Sequence, residues 1–256
     1  MNENLLTNHF FTREPVQLVI DFGNTRVKAA IFNKHELIEL ATSENISIEQ
    51  LAALAQRFNI RNCIVSTVTD IPIKITSYLE KHFNFIELQH TTPIPVTNLY
   101  KTPETLGKDR LAAVVGAYFR FPETNCLVID AGTCITVDFI DSQGNYHGGS
   151  ISPGINLRFK ALHTFTSRLP LIHLKNFDGL TGQTTEESIL AGVLSGTISE
   201  LRCTIQTYRD LYPSLQVVAT GGDTIFFETK LKSNIFAAPN LVLEGLNEIL
   251  NFNAVK

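Results

Sequence analysis

Long uninterrupted apolar runs are missing from this sequence, and none approaches the ~18 residues that suggest a membrane span. Runs of lysine and arginine are missing as well. With 21 Lys+Arg against 25 Asp+Glu and a formal net charge of −4, a nucleic-acid surface supplying most of the binding energy is excluded. A phosphate site is not, because a few side chains and backbone N–H groups suffice for one. Cys-x-x-Cys pairs are absent. Cys63, Cys126, Cys134 and Cys203 each sit inside an apolar run, as reduced core thiols do, which points to a cytoplasmic protein. The 7 histidines share no metal-binding spacing, so His147 and His163 are expected as surface or core residues. A Walker A sequence and a Gly-x-Gly-x-x-Gly fingerprint are both lacking, which removes the P-loop and Rossmann routes to a bound nucleotide. Met1–Glu14 carries Asn8 and His9 among its apolar residues, too broken for a secretory signal, and residues 1–16 are expected as a loosely held tail.

Apolar residues make up 44% of the chain, enough for one large core or two ordinary ones. The organising stretch is Leu18–Lys28, LVIDFGNTRVK, an apolar run that ends in Asp21, turns at Gly23 and resumes as Val27-Lys-Ala-Ala-Ile-Phe32. It has the form of a hairpin whose first strand delivers an acid to its tip. Gly23 is expected to be free to take a positive φ and admit a ligand to the backbone, with Asn24 and Thr25 adding donors. Cys126–Asp141, CLVIDAGTCITVDFID, repeats the pattern with Asp130, Gly132 and Thr133. Two acid-Gly-Thr hairpins suggest two copies of one fold facing a shared ligand.

In chain order the first copy has strands at Val16–Asp21, Arg26–Asn33 and Glu36–Leu40, then a helix over Ile46–Phe58 with Ile48, Leu51, Leu54 and Ala55 at helical spacing. A strand at Asn62–Thr67, a helix at Pro72–Phe83 and a strand at Asn84–Leu88 follow. His90–Pro103 reads as loop, and Glu104–Arg120 as a helix joining the halves. The second copy repeats the order: strands at Cys126–Asp130, Cys134–Asp141 and Tyr146–Ile151, then a helix from Pro153 to His163. Glu186–Tyr212 is a longer helix whose Gly192 and Gly196, four apart, are expected to allow close helix packing. Leu215–Thr220 is a strand, Gly221-Gly-Asp223 a turn and Asn240–Phe252 a closing helix.

A strand hairpin followed by alternating helices and strands, given twice, resembles the duplicated ribonuclease-H-like fold of actin, heat-shock chaperones and hexokinase. The resemblance implies an α/β chain with lobes at 17–112 and 113–256 and a nucleotide in the cleft between them, its phosphates gripped by the two hairpins. A carboxylate cannot itself bind phosphate, but Asp21 and Asp130 can each hold a cation or its waters against phosphate oxygens. The N–H groups around Gly23 and Gly132, the Thr25 and Thr133 hydroxyls and Lys28 then bind the phosphates.

The ordered set Asp21-Phe-Gly-Asn-Thr25, Gly107-Lys-Asp-Arg110, Asp130-Ala-Gly-Thr133, Gly148-Gly-Ser-Ile-Ser-Pro-Gly154, Thr184-Thr-Glu-Glu-Ser-Ile-Leu-Ala-Gly192, Thr220-Gly-Gly-Asp223 and Leu241-Val-Leu-Glu-Gly245 resembles one family, type III pantothenate kinase. That family implies ATP-dependent phosphorylation of pantothenate toward coenzyme A, with Mg²⁺ and a monovalent cation, K⁺ or NH₄⁺, in a homodimer. Neither nucleic acid nor membrane is an implied partner. Carried over by position, Asp21, Phe22, Gly23, Asn24, Thr25, Arg26, Val27 and Lys28 match the first ATP loop, Gly132 and Thr133 the second, and Asp130 the potassium ligand. Tyr100, Gly107, Lys108, Asp109, Arg110 and Thr184 match the pantothenate contacts, with Asp109 the catalytic base. Lys108 departs from the small or apolar residue expected there, and Cys134-Ile from the more usual Ala-Thr.

Plainer readings stand beside these. Either hairpin alone is an ordinary Asp-Gly turn, and Asp109-Arg110 alone is a helix-start acid followed by a solvated arginine. Tyr100 alone is a half-buried loop aromatic. Thr184 is an N-cap with Glu187 as its capping-box partner. Gly148–Gly154 is a tight backbone passage. Two other functions share the fold: a pantothenate-kinase-like accessory protein without activity, which would lack an acid or a loop, and a sugar kinase, which would need a cluster of polar side chains that is not evident.

Overall fold

The computed structural model describes residues 15–68, 70–231 and 234–254. The tail expected at 1–16 lies outside the described residues as far as position 14, while Val16 already opens the first strand and is 1% exposed. By their contacts the described residues form two compact units, one up to Ile94 and again from Leu246, the other Pro95–Gly245.

The first unit holds a five-stranded sheet. Strands β1 (Val16–Phe22), β2 (Val27–Asn33) and β3 (Glu36–Ser43) run as an antiparallel meander. Helix α1 (Ile48–Arg57) leads to β4 (Ile60–Thr67), and α2 (Ile73–His82) to β5 (Asn84–Glu87), both strands parallel to β1, giving the order β3-β2-β1-β4-β5. Leu18, Val19 and Ile20 are all buried, as a central strand covered on both faces requires. Ser47 starts α1 through a reciprocal cap: its hydroxyl accepts from the Gln50 N–H at 3.2 Å, and Gln50 Oε1 accepts from the Ser47 N–H at 2.8 Å.

The second unit holds a six-stranded sheet built from β6 (Thr97–Asn98), β7 (Cys126–Ala131), β8 (Cys134–Ile140), β9 (Asn145–Pro153), β10 (Gln216–Thr220) and β11 (Phe236–Ala237), in the order β11-β10-β7-β8-β9-β6. Without β6, this is the order of the first sheet again, hairpins β7-β8-β9 followed by two parallel strands, so the duplication extends to topology. Its helices are α3 (Lys108–Arg120), α4 (Ile155–Thr164), α5 (Thr185–Leu211) and α6 (Thr224–Leu231), and α7 (Leu241–Ala254) begins here and continues in the first unit from Leu246. Elements α6, β6 and β11 were not expected from sequence. The α6 segment, Thr-Ile-Phe-Phe-Glu-Thr-Lys-Leu, is β-branched and aromatic and carries no clear helical period. The two-residue strands β6 and β11 are too short to show alternation.

By contacts the units divide at 94/95 and at 245/246, and the expected boundary at 112/113 lies inside α3. Close helix packing also falls elsewhere than expected. A Cβ on Gly116 would sit 2.5 Å from the Leu241 carbonyl oxygen, and one on Gly245 would sit 1.8 Å from that of Ala112, so α3 and the start of α7 meet backbone to backbone. A Cβ on Gly192 or Gly196 meets nothing within 4 Å, and the pair holds no close contact within the described residues. Cys63 and Cys126 are the buried thiols, both pushed up by burial and Cys126 to about 12, whereas Cys134 and Cys203 are exposed rather than in the core.

These glycines predict opposite responses to one added methyl. Gly245→Ala should destabilise the protein by about 1–3 kcal/mol through overpacking, and Gly192→Ala should be neutral or stabilise it by up to about 1 kcal/mol through helix propensity. Thermal or denaturant unfolding of the two variants checks this, and the reverse ranking would refute the assignment of the helix contact.

Candidate active site

The first strand tip is made by β1, β2 and β4. Asp21 lies opposite Lys28 in the β1–β2 hairpin and opposite Ser66 in the parallel β1–β4 ladder, so acid, amine and hydroxyl belong to one patch of the sheet end. The Gly23 N–H donates to the Arg26 carbonyl at 3.0 Å and closes the loop. Gly23 does not have a positive φ, contrary to expectation. Its smallness matters because a Cβ would come within 3.2 Å of the Arg26 carbonyl oxygen. Asn24, Thr25 and Arg26 are exposed, Asp21 and Lys28 half-buried. Phe22 and Val27 are each 6% exposed and belong to the core, so only their backbone groups can serve a ligand.

The second tip repeats the arrangement. Asp130 lies opposite Thr136 on β8 and Thr220 on β10, and the Gly132 N–H donates to the Cys134 carbonyl at 2.9 Å. Thr133 is exposed, and its carbonyl accepts from the Gly154 N–H at 3.0 Å. Gly154 is required here because a Cβ would come within 2.1 Å of the Gly132 carbonyl oxygen. The Gly221-Gly-Asp223 turn wraps the same tip. Gly221 has φ +94°, a Cβ on it would lie 2.4 Å from Asp130 Oδ1, and the Asp223 N–H donates to the Ala131 carbonyl at 2.9 Å. Burial raises the Asp223 carboxyl above its ordinary value.

Both tips fit a hard cation. Among the described residues no group of three or more His, Cys, Asp or Glu side chains is placed to hold a metal, so a cation would take one carboxylate with hydroxyl, carbonyl, phosphate and water oxygens. Among the described residues Ser66 Oγ beside Asp21 and Thr136 Oγ1 beside Asp130 are both buried without a hydrogen-bond partner, each an oxygen next to the acid.

The Gly107-Lys-Asp-Arg110 segment opens α3 with Gly107 at the N-cap. Asp109 turns back on the helix start, where its Oδ1 accepts from the Arg110 N–H at 2.8 Å, a favourable place for an acid. Gly107 leaves the room, since a Cβ there would lie 2.6 Å from that oxygen. Arg110 is not a solvated arginine. It is 5% exposed and ion-paired with Asp138 of β8, donating through Nη2 at 2.6 Å and through Nε at 3.2 and 3.1 Å to the two carboxylate oxygens. Burial opposes its charge, but the hydrogen bonds and negative charge of Asp138 prevail and hold its pKa above the ordinary value. Tyr100 lies under the guanidinium, 5.6 Å from Arg110 Cζ to the ring centroid.

Tyr100, Arg110 and, through the shared helix start, Asp109 are thus brought together, with Lys108 half-buried beside them. Thr184 is the N-cap of α5. Its hydroxyl accepts from the Glu187 N–H at 3.2 Å, and Glu187 reaches back to the Gln183 N–H at 2.8 Å rather than closing a capping box on Thr184 itself. Asp138, Tyr146, Ser66 and Thr136 were missed from sequence. Asp138 had a signal, an acid inside the otherwise apolar strand CITVDFI, since buried acids are almost always paired.

The sheet order given twice, each copy with an acid at the tip of its first strand, is the duplicated ribonuclease-H-like fold. Solved structures share this fold. A Campylobacter jejuni protein described as a conserved putative Baf family transcriptional activator matches at TM-score 0.58 and 22% identity over 93% of this chain and 100% of its own. A putative N-acetylmannosamine kinase from Listeria monocytogenes matches at TM-score 0.55 and 14% identity over 93% and 99%. At the level of sequence, a family model described as type III pantothenate kinase matches residues 17–207. A type III pantothenate kinase of Phocaeicola vulgatus is 51% identical over 93% of this chain and 99% of its own, and one of Bacteroides fragilis is 48% identical over 93% and 98%. The chain belongs to the type III pantothenate kinase family and is a kinase.

Two arginines measure what burial does to an ion pair. Arg110→Ala leaves Asp138 buried and uncompensated and should destabilise the protein by about 3–5 kcal/mol. Arg120→Ala removes the half-exposed pair with Glu244, Nη2 to Oε1 2.7 Å, and should cost under about 1 kcal/mol. Equal losses on denaturant unfolding would rule out the structural weight given to Arg110.

Proposed function

We propose that this chain transfers the γ-phosphoryl group of ATP to the primary hydroxyl of pantothenate, the first step toward coenzyme A. The observation that carries the reading is that the family's residues are complete in a 51%-identical setting: Asp21, Asp109, Asp130 and Thr133 are all present. An inactive accessory protein would be expected to lack one of them, and a sugar kinase would need a cluster of polar side chains that is not evident.

In this reading Asp21 to Lys28 and Gly132-Thr133 bind ATP. The Gly23 and Gly132 backbone, the Thr25 and Thr133 hydroxyls and the Lys28 amine contact phosphates, while Phe22 and Val27 contribute backbone only. Mg²⁺ near Asp21 and K⁺ or NH₄⁺ at Asp130 supply positive charge against the phosphate oxygens. Tyr100, Gly107, Lys108, Arg110 and Thr184 position pantothenate, with the Arg110 donors left over from Asp138 directed to its carboxylate and Lys108 adding a cation to the same site. Asp109 orients the attacking hydroxyl and accepts its proton as the new P–O bond forms. The enzyme works in the cytoplasm as a homodimer, as the family implies.

Positioning and charge do most of the work in phosphoryl transfer, so loss of the base has a bounded cost. Asp109→Asn should lower kcat by about 10²–10⁴-fold with ATP binding intact. A coupled assay for ADP release that depends on added pantothenate measures it, and a folded Asp109→Asn protein with the parent kcat would exclude Asp109 as base. Parent activity should collapse in Na⁺-only buffer and return with K⁺ or NH₄⁺, whereas equal rates in all three would exclude the cation assignment at Asp130.

A further inference from the structure

Asp138 and Tyr146 have no part in the roles assigned so far, yet they form an enclosed polar cluster in the second unit. Asp138 is 1% exposed and Tyr146 fully buried, in neighbouring strands β8 and β9. The Asp138 Oδ1 accepts from both Arg110 Nη2 and the Tyr146 hydroxyl, at 2.6 and 2.7 Å. Burial, and then the charge of Asp138, push the Tyr146 phenol well above its ordinary pKa, so it stays a hydroxyl donor. The Tyr146 ring stacks on Tyr100 at 6.3 Å between centroids and 6° between planes, and the Arg110 guanidinium lies over that same Tyr100 ring.

We propose that Asp138 and Tyr146 are positioning residues of the pantothenate site, which hold the Arg110 guanidinium and the Tyr100 ring in the single orientation that presents both to substrate. The proposal rests on Tyr100 and Arg110 being pantothenate contacts. Asp138 occupies the Nε and one Nη2 position of the guanidinium, so only the opposite edge is left for another acceptor, and its direction is set by the carboxylate. With the charges of Arg110 and Asp138 balanced, recognition depends on where that edge points. The Tyr146 hydroxyl fixes the carboxylate by engaging the oxygen that Arg110 Nη2 uses, and the Tyr146 ring fixes Tyr100 by stacking.

The glycines of β9 fit the same purpose. Gly148 has φ +92°, and a Cβ on it would come within 3.0 Å of Tyr100 Cδ2. A Cβ on Gly149 would lie 2.7 Å from Asp138 Oδ1 and 1.9 Å from the Val137 carbonyl oxygen. The Gly148-Gly149 pair is therefore the space in which Tyr100 and Asp138 sit. A buried ion pair is a poor device for stability, because well-packed apolar residues do as well or better. Its presence beside the helix start that carries Asp109 is accounted for by recognition.

The test is steady-state kinetics on the full-length protein with Tyr146→Phe, which removes one hydroxyl and keeps the ring, with Asp138→Asn, which keeps the shape, and with Arg110→Lys alongside. Tyr146→Phe should raise the pantothenate KM roughly tenfold, the worth of one hydrogen bond to a charged group. Its ATP KM and kcat should stay within about twofold of the parent. Asp138→Asn should raise the pantothenate KM at least as far where it folds. A folded Tyr146→Phe protein with the parent pantothenate KM overturns the proposal. So does a matched fall in kcat and in affinity for both substrates, the mark of a merely structural role. If Arg110→Lys raises the pantothenate KM while Tyr146→Phe does not, the proposal fails and the contact assignment survives. If Arg110→Lys also leaves it unchanged, both fail.

Discussion

The buried pair between Arg110 and Asp138 is the interaction on which the geometry at the start of α3 depends. Placing two charges out of water is costly unless geometry and extra hydrogen bonds compensate. The fold supplies both, through a two-pronged contact from Nε and Nη2 and a third donor from Tyr146. The requirement spreads outward from there. Strand β9 must be bare of side chains at Gly148 and Gly149, and α3 must begin where it does. Asp109 is fixed as a consequence, because it precedes Arg110 at the start of a helix tied down by that arginine.

The strand tips follow a different logic, repeated in each unit. A central strand with apolar residues on both faces ends in an acid, and a neighbouring strand sets a hydroxyl opposite it, Ser66 for Asp21 and Thr136 for Asp130. Among the described residues neither hydroxyl has a hydrogen-bond partner, which is unusual for buried groups and fits oxygen ligands of a hard cation. Gly23 and Gly154 serve closeness, and Gly221 serves both closeness and its φ of +94°. Gly23 and Gly132 have ordinary φ, and Gly154 and Gly221 are required because carbonyls or Asp130 press against them.

Much of this was legible in the residues. The apolar runs ending in Asp21 and Asp130 gave the hairpins, and their repetition gave the duplicated topology, because alternation and apolar runs are local signals. The ion pair was not legible, since Arg110 and Asp138 are 28 residues apart and an arginine after a helix-start acid is most often solvated. The misplacement of close helix packing has the same origin. Gly192 and Gly196 share a face of α5 in sequence, but whether another backbone crosses that face is a tertiary fact, and the crossing occurs at Gly116 and Gly245 instead. Helix α6 was missed because its β-branched and aromatic residues mask the helical period, and β6 and β11 because two residues carry no pattern.

If the buried polar cluster serves recognition of the acceptor, apolar residues can replace it without loss of the fold. The most direct measurement replaces all three partners at once, in the variant Arg110→Met, Asp138→Leu, Tyr146→Phe, so that no charge or hydroxyl is left orphaned. Unfolding free energy and the kinetics of pantothenate phosphorylation are then compared with the parent. The expected result is stability within about 1–2 kcal/mol of the parent or above it, since apolar replacements of buried ion pairs are often neutral or stabilising, together with a pantothenate KM raised by at least about tenfold. A folded triple variant that saturates with pantothenate as the parent does would contradict that role in recognition.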